Sequence, residues 1–189
     1  MFSKVLVANR GEIAVRVVQT LQAMGIETDV VDSDPDANAP HVGLADEACA
    51  LGGSTVEETY LDRRKIVDLA LRCGAEAVHP GYGLLSENPG FCRDCTEAGL
   101  VFIGPRPETI ALLGDKIRSK ETAVQAGVPL VPSSPVWQPG ESNLDIYPLG
   151  TGSPHLIKRS AGAGARGPIG GSVARGRIGG WWLAGWTVA

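Results

Sequence analysis

The side chains in this sequence that could do chemistry gather in four short stretches. In NRGE (9–12), Gly11 and Glu12 stand where a strand would hand over to a helix. A helix start offers unpaired N–H groups and a partial positive charge, which suits an anion. The same two residues equally suit a tight turn and a favourable first helical turn. In HPGYGLLSEN (79–88), two glycines bracket a tyrosine, a composition that lets backbone approach a ligand. A turn closed by Ser86 as helix cap accounts for it as well. In GDK (114–116), Lys116 lies in the first turn of a helix, against the dipole. A phosphate or an adenine edge would explain it, and so would simple solvent exposure. In LIKRSAGAGARG (156–167), a strand-terminal Lys158 precedes a loop of glycine and alanine. Lysine before the glycines is not the P-loop order. It is the arrangement in which lysine meets phosphates from below and the loop closes over them, unless the loop is glycine-rich filler.

Two further features point away from chemistry. Cys92 and Cys95 form a lone C-x-x-C that falls mid-helix, with no second pair to complete a zinc site, so all four cysteines read as structural, reduced thiols. His79, on its own, reads as a satisfied and partly buried histidine.

The elements that must position these stretches follow from periodicity. Apolar β-branched runs predict strands at 4–8, 27–33, 47–51, 75–80, 100–104 and 128–132. Helical spacing predicts helices at 11–24, 61–74, near 89–99, 106–114 and 115–127. Ile13, Val17, Leu21 and Met24 would face inward on the first, with Gly25 ending it; Ile66, Leu69, Ala70 and Cys73 would do so on the second. The segment 34–40 reads as loop. Alternating strands and helices with short links imply an α/β fold with a parallel, doubly wound sheet. Right-handed crossovers then bring the loops after the strands, 9–12, 79–88 and 103–109, to one edge.

Composition bounds the rest. The 189-residue chain carries a net charge of −4, which argues against nucleic acid as the main partner. No run of about 18 apolar residues occurs, which argues against a membrane span. The N-terminus reads as a first strand and not a signal peptide, so the expected compartment is cytoplasmic. Character changes near residue 135: residues 1–134 carry −7, and residues 135–189 carry +3 with all four tryptophans and 12 of the 25 glycines. Beyond HLIK (155–158), which reads as a strand, no element is expected there.

The set VLVANRGEIAVR, HVGLADEACALG, AEAVHPGYGLLSEN, GLVFIGPRPETIALLGDK and AGVPLVP, in this order, closely resembles the N-terminal domain of biotin carboxylases. These are the ATP-grasp components of acetyl-CoA, propionyl-CoA, methylcrotonyl-CoA and pyruvate carboxylases. The likeness runs over about residues 3–134. It implies a Rossmann-like, pre-ATP-grasp domain at 1–114, a linker helix and strand at 115–134, and a poorly structured remnant of the ATP-grasp lid with an irregular tail at 135–189. The implied family reaction is ATP-dependent carboxylation of biotin by bicarbonate through carboxyphosphate, with Mg²⁺. By the same resemblance Lys116 matches a lysine that contacts ATP, and Lys158 matches the lysine that opens the lid. Gly164 and Ala165 match loop positions that touch phosphates. The loop departs from the family's successive glycines at Ala163 and Ala165, and alanine resists positive φ.

The likeness ends after about Gly167. The family's acidic metal ligands and its segment for bicarbonate are absent from this sequence, so no catalytic residue and no metal ligand is assigned. The expectation is a truncated biotin carboxylase, inactive by itself, with ATP binding weak or lost. Its abrupt tail fits a shifted reading frame, a genuine divergent tail being the alternative. The other functional reading is a non-catalytic module that pairs with a full-length carboxylase subunit. Implied partners are a second copy, a biotin carboxyl carrier and a carboxyltransferase. A nicotinamide-dependent protein is disfavoured because G-x-G-x-x-G is missing.

Overall fold

A computed structural model of the chain describes residues 1–130 and the strand residues Arg177–Ile178 and Trp181–Trp182. Five strands form one sheet: β1 (Lys4–Val7), β2 (Glu27–Asp32), β3 (Glu47–Ala50), β4 (Ala77–His79) and β5 (Val101–Phe102). Their order is β3-β2-β1-β4-β5, and every pairing is parallel. Helices fill the connections: α1 (Gly11–Ala23), α2 (Pro40–Leu44), α3 (Arg63–Arg72) and α4 (Pro89–Glu97). Helix α5 (Pro107–Gly114) follows β5. This is the expected doubly wound α/β sheet. The strand order reverses between β1 and β4, and that is where such sheets open a crevice at the strands' C-terminal ends.

The two faces can be read from β1 alone. Alternate side chains of a strand point to opposite faces. Val5 and Val7 join Ala14, Val17, Val18 and Leu21 of α1 on one face, with Val30 and Ala77. Leu6 and Ala8 join Ile66, Leu69 and Ala70 of α3 and Phe91 and Cys95 of α4 on the other, with Val31 and Val78. Each Val, Leu or Ile among them contributes about 1.5–3 kcal/mol by leaving water. Phe91 and Phe102 meet edge to face, centroids 5.9 Å apart at 87°, adding about 0.5–1.5 kcal/mol.

Helix ends depend on backbone geometry. After α1 the Gly25 N–H donates to Gln22 O and Ile26 N–H to Leu21 O, both at 3.0 Å, with Gly25 at φ +72°. That is a Schellman closure, which needs a left-handed residue; Gly74 ends α3 the same way. The stop signals pulled Met24 out of the helix, and it is exposed although helical spacing placed it inward. Cys73 is likewise the C-cap of α3 and only half-buried. Helix α4 is capped by Asn88, whose Oδ1 accepts from Phe91 N at 3.0 Å, and not by Ser86. A cap must directly precede the first helical residue, here Pro89, and Ser86 lies two residues too early. Between β2 and β3 the expected loop holds a 3-10 turn (Asp34–Asp36) and the short α2, which begins at Pro40 as helices often do.

The chain divides into two units, Met1–Gly114 and Asp115–Ala189. The first contains the sheet. The second contains α6 (Lys116–Gln125) and an antiparallel pair, β6 (Arg177–Ile178) and β7 (Trp181–Trp182), with Arg177 opposite Trp182. This short ladder falls in a stretch whose composition predicted no element. Its strands flank Gly179-Gly180 in sequence, a dipeptide suited to two-residue hairpin turns. Of the expected strand 128–132, Val128–Leu130 form no strand, since Pro129 lacks an N–H and no ladder partner is present among the described residues, and 131–132 lie outside them. The expected strand 155–158 lies outside the described residues. Among the described residues no helix is long and apolar enough to cross a membrane.

Candidate functional site

The C-terminal edge of the sheet at the β1/β4 switch brings together two of the predicted loops. Asn9, the second residue after β1, is 3% exposed. Its Nδ2 donates to Pro80 O at 2.7 Å and to Tyr82 O at 2.9 Å. Its Oδ1 accepts from Arg10 N at 2.8 Å. One carboxamide thus joins the end of β1, the start of α1 and the loop after β4. The sequence reading weighed Gly11 and Glu12 in this motif and passed over Asn9; a polar side chain directly behind an apolar strand was the available signal.

The loop after β4 has a held shape. Gly81, Gly83 and Leu84 all have positive φ, at +63°, +66° and +44°. Leu85 is buried and anchors the loop in the core. Gly81 N–H donates to His79 Nδ1 at 3.0 Å, which assigns the neutral tautomer with hydrogen on Nε2. Burial lowers the His79 pKa from its usual value. The histidine is therefore a neutral acceptor that shapes a turn, as its isolated occurrence suggested. Tyr82 is exposed at the tip, and its hydroxyl donates to Glu12 Oε2 at 3.1 Å. That contact raises the tyrosine's pKa.

A second knot lies beside it, beyond β2. Asp36 Oδ2 accepts from Tyr60 OH at 2.7 Å, from Arg10 Nη1 at 2.8 Å and from Ser33 Oγ at 3.0 Å. Burial opposes the Asp36 charge, but these three donors outweigh it and the pKa falls. The Arg10 guanidinium also sits over the Tyr60 ring, 5.4 Å from its centroid. Arg10 is the N-cap of α1 and its side chain makes no cap bond, so the first turn keeps its free N–H groups. This edge holds loops in place. It presents Tyr82 outward.

Of the sequence-predicted site residues, Lys116 is the first residue of α6. Asp115 caps that helix, its Oδ1 accepting from Ile117 N at 2.8 Å and Arg118 N at 3.1 Å. A carboxylate already occupies the helix start, so its backbone does not make a phosphate cradle. Lys158, Gly164 and Ala165 lie outside the described residues. Two groups of acidic or thiol side chains approach metal-ligand spacing, Glu27/Asp29/Glu47 and Asp29/Cys49/Cys73. Both lie toward the N-terminal end of the strands, away from the switch. The first already surrounds Lys4, whose Nζ is 2.9 Å from Glu27, 3.1 Å from Glu47 and 3.2 Å from Asp29. Neither group therefore makes an open site for Mg²⁺. Cys92 and Cys95 are buried free thiols within α4, as expected.

Residues 1–110 match the family model "Biotin carboxylase, N-terminal domain". The 2-oxoglutarate carboxylase small subunit of Hydrogenobacter thermophilus is 49% identical over 167 residues, covering 88% of this chain and 35% of its own. The biotin carboxylase of Halalkalibacterium halodurans is 46% identical over 167 residues, covering 88% and 37%. Among solved structures, the biotin carboxylase domain of a thermophilic 2-oxoglutarate carboxylase bound to bicarbonate superposes with a TM-score of 0.68 at 54% identity, over 71% of this chain and 30% of that one. The chain thus spans about a third of the length of these relatives.

Proposed function

This chain belongs to the biotin carboxylase N-terminal-domain family, and from that premise we propose that residues 1–114 form one wall of a biotin carboxylase centre. The reaction served is ATP-dependent carboxylation of biotin by bicarbonate, within a biotin-dependent acyl-CoA or keto-acid carboxylase. The observation that carries this reading is the edge at Asn9. It holds the 79–88 loop in one shape at the sheet's switch point while presenting Tyr82 outward. The edge orders loops, as suits a wall completed by further segments.

On this reading Lys116 and Lys158 contact ATP, with Gly164 and Ala165 over its phosphates. Residues 115–134 form the linker into the ATP-grasp part, and 135–189 a lid remnant and tail. Mg²⁺ and biotin belong to the completed centre. The partners are carboxylase polypeptides: a second copy, a biotin carboxyl carrier and a carboxyltransferase. The 189-residue chain by itself binds ATP weakly or not at all and does not turn over.

The test is to assay the purified chain for bicarbonate- and biotin-dependent ADP release. It is then mixed with a biotin carboxylase relative lacking its own N-terminal domain. No turnover alone and a gain of turnover on mixing are expected. Turnover by the chain alone, or no gain on mixing when the two polypeptides co-purify, would overturn the reading.

A further inference from the structure

We infer that Cys49 and Cys73 form an oxidative modification site, a dithiol that closes to a disulfide when a peroxide reaches it. The two residues are 24 positions apart, and their Sγ atoms lie 2.7 Å from each other. Cys49 is buried on β3, at the edge of the sheet; Cys73 is half-buried at the end of α3. Both backbones are fixed independently. Cys49 is paired in register with Val31 of β2. Cys73 is the C-cap of α3, directly before the Gly74 closure, and its carbonyl accepts from Lys4 Nζ at 3.3 Å. The sulfurs are thus brought together by the fold and not by flexible side chains. Among the described residues no other pair of cysteine sulfurs is within hydrogen-bond reach. Cys92 instead donates to Pro105 O at 3.6 Å.

The same geometry disfavours a metal. Two thiolates on one tetrahedral zinc stand about 3.8 Å apart, given Zn–S bonds of about 2.3 Å. The Cys49–Cys73 sulfurs are much closer. The third candidate ligand, Asp29, already faces the Lys4 ammonium. Burial, together with the neighbouring Cys73, pushes the Cys49 thiol well above the ordinary range, so it is protonated at neutral pH. Reaction therefore begins at the more accessible Cys73. Peroxide converts that thiol to a sulfenic acid and releases water. The Cys49 sulfur then attacks it, and the departing hydroxyl leaves with the Cys49 proton as a second water. Two thiols lose two protons and two electrons to one peroxide. The product ties the edge strand β3 to the end of α3.

The full chain is treated with hydrogen peroxide under native conditions, blocked with N-ethylmaleimide, digested without reduction and mapped by mass spectrometry. A Cys49–Cys73 cross-linked peptide is expected, with Cys92 and Cys95 alkylated once the chain is unfolded. The thermal midpoint should rise on oxidation and return with dithiothreitol. Cys49→Ser and Cys73→Ser should each abolish the shift, and Cys92→Ser should leave it. Four results would overturn the inference: a cross-link through Cys92 or Cys95, one between two chains, one formed only in urea, or zinc held mole for mole with both thiols masked.

Discussion

Asn9 and Pro80 are 71 residues apart in sequence and joined by a 2.7 Å hydrogen bond from Nδ2 to the buried carbonyl. The same nitrogen reaches Tyr82 O. Replacing Asn9 with alanine leaves the Pro80 carbonyl desolvated and unpaired. We expect a loss of about 2 kcal/mol in urea unfolding. Amide exchange at residues 82–85 should also quicken more than in the sheet. Equal loss of protection everywhere would mean that Asn9 acts on global stability only.

Gly81 and Gly11 separate strain from crowding. Both have φ +63°. A Cβ at Gly11 meets open space, whereas at Gly81 it would sit 2.7 Å from Asn9 Nδ2 and 3.1 Å from Asn9 Cβ. Gly11→Ala should cost about 1–2 kcal/mol from the backbone alone. Gly81→Ala should cost clearly more, because Asn9 must also move. Urea midpoints of the two variants decide it, and equal costs would contradict the close approach.

Lys4 is the single cation facing the buried Asp29 carboxylate among the described residues. Burial raises the Asp29 pKa against the pull of Lys4, while the Lys4 pKa is raised by Glu27 first and by Glu47 and Asp29 after it. Lys4→Met should destabilise by about 3–5 kcal/mol, because it strands a buried charge. The double change Lys4→Met with Asp29→Val should recover most of that loss. Glu27→Gln, on the exposed side, should cost well under about 1 kcal/mol. Chemical denaturation of the three variants checks the order.

His79 gives the fold an acid sensitivity with a defined sign. Its pKa is lowered in the folded chain, so below pH 6.5 the unfolded state takes up the proton first. The neutral form's contribution is complete above the unfolded value. It declines as pH falls through that value and stops declining below the folded pKa. Protonation also removes the acceptor for Gly81 N–H. The wild type should therefore lose stability between neutral pH and the acid side of 6.5 relative to His79→Gln. Nitrogen-15 spectra should show the Nε2–H tautomer at neutral pH. A pH profile unchanged by the substitution would remove His79 from the account.

Much of the fold was legible. Strands such as Val5–Val7 and Val30–Val31 are apolar because both faces of a parallel sheet are covered. Gly25 and Gly74 announced the ends of α1 and α3. Errors fell at element ends, as with Met24 and Ser86, where one residue's shift changes a side chain's role. The candidate site was less legible. The sequence marked the 9–12 and 79–88 loops. It did not show that Asn9 was their link, nor that Arg10, Ser33, Asp36 and Tyr60 form one knot.

The sequence alone determined the alternation of strand and helix, the glycine stops and the likeness to biotin carboxylases. All of these are written in local period and order. The tertiary structure alone decided the meeting of Asn9 with Pro80, of Lys4 with Asp29 and of Cys49 with Cys73. Those contacts depend on which strand lies beside which. The sheet order β3-β2-β1-β4-β5 is set by burial of two faces at once. No window of the chain short enough to carry a period contains both partners.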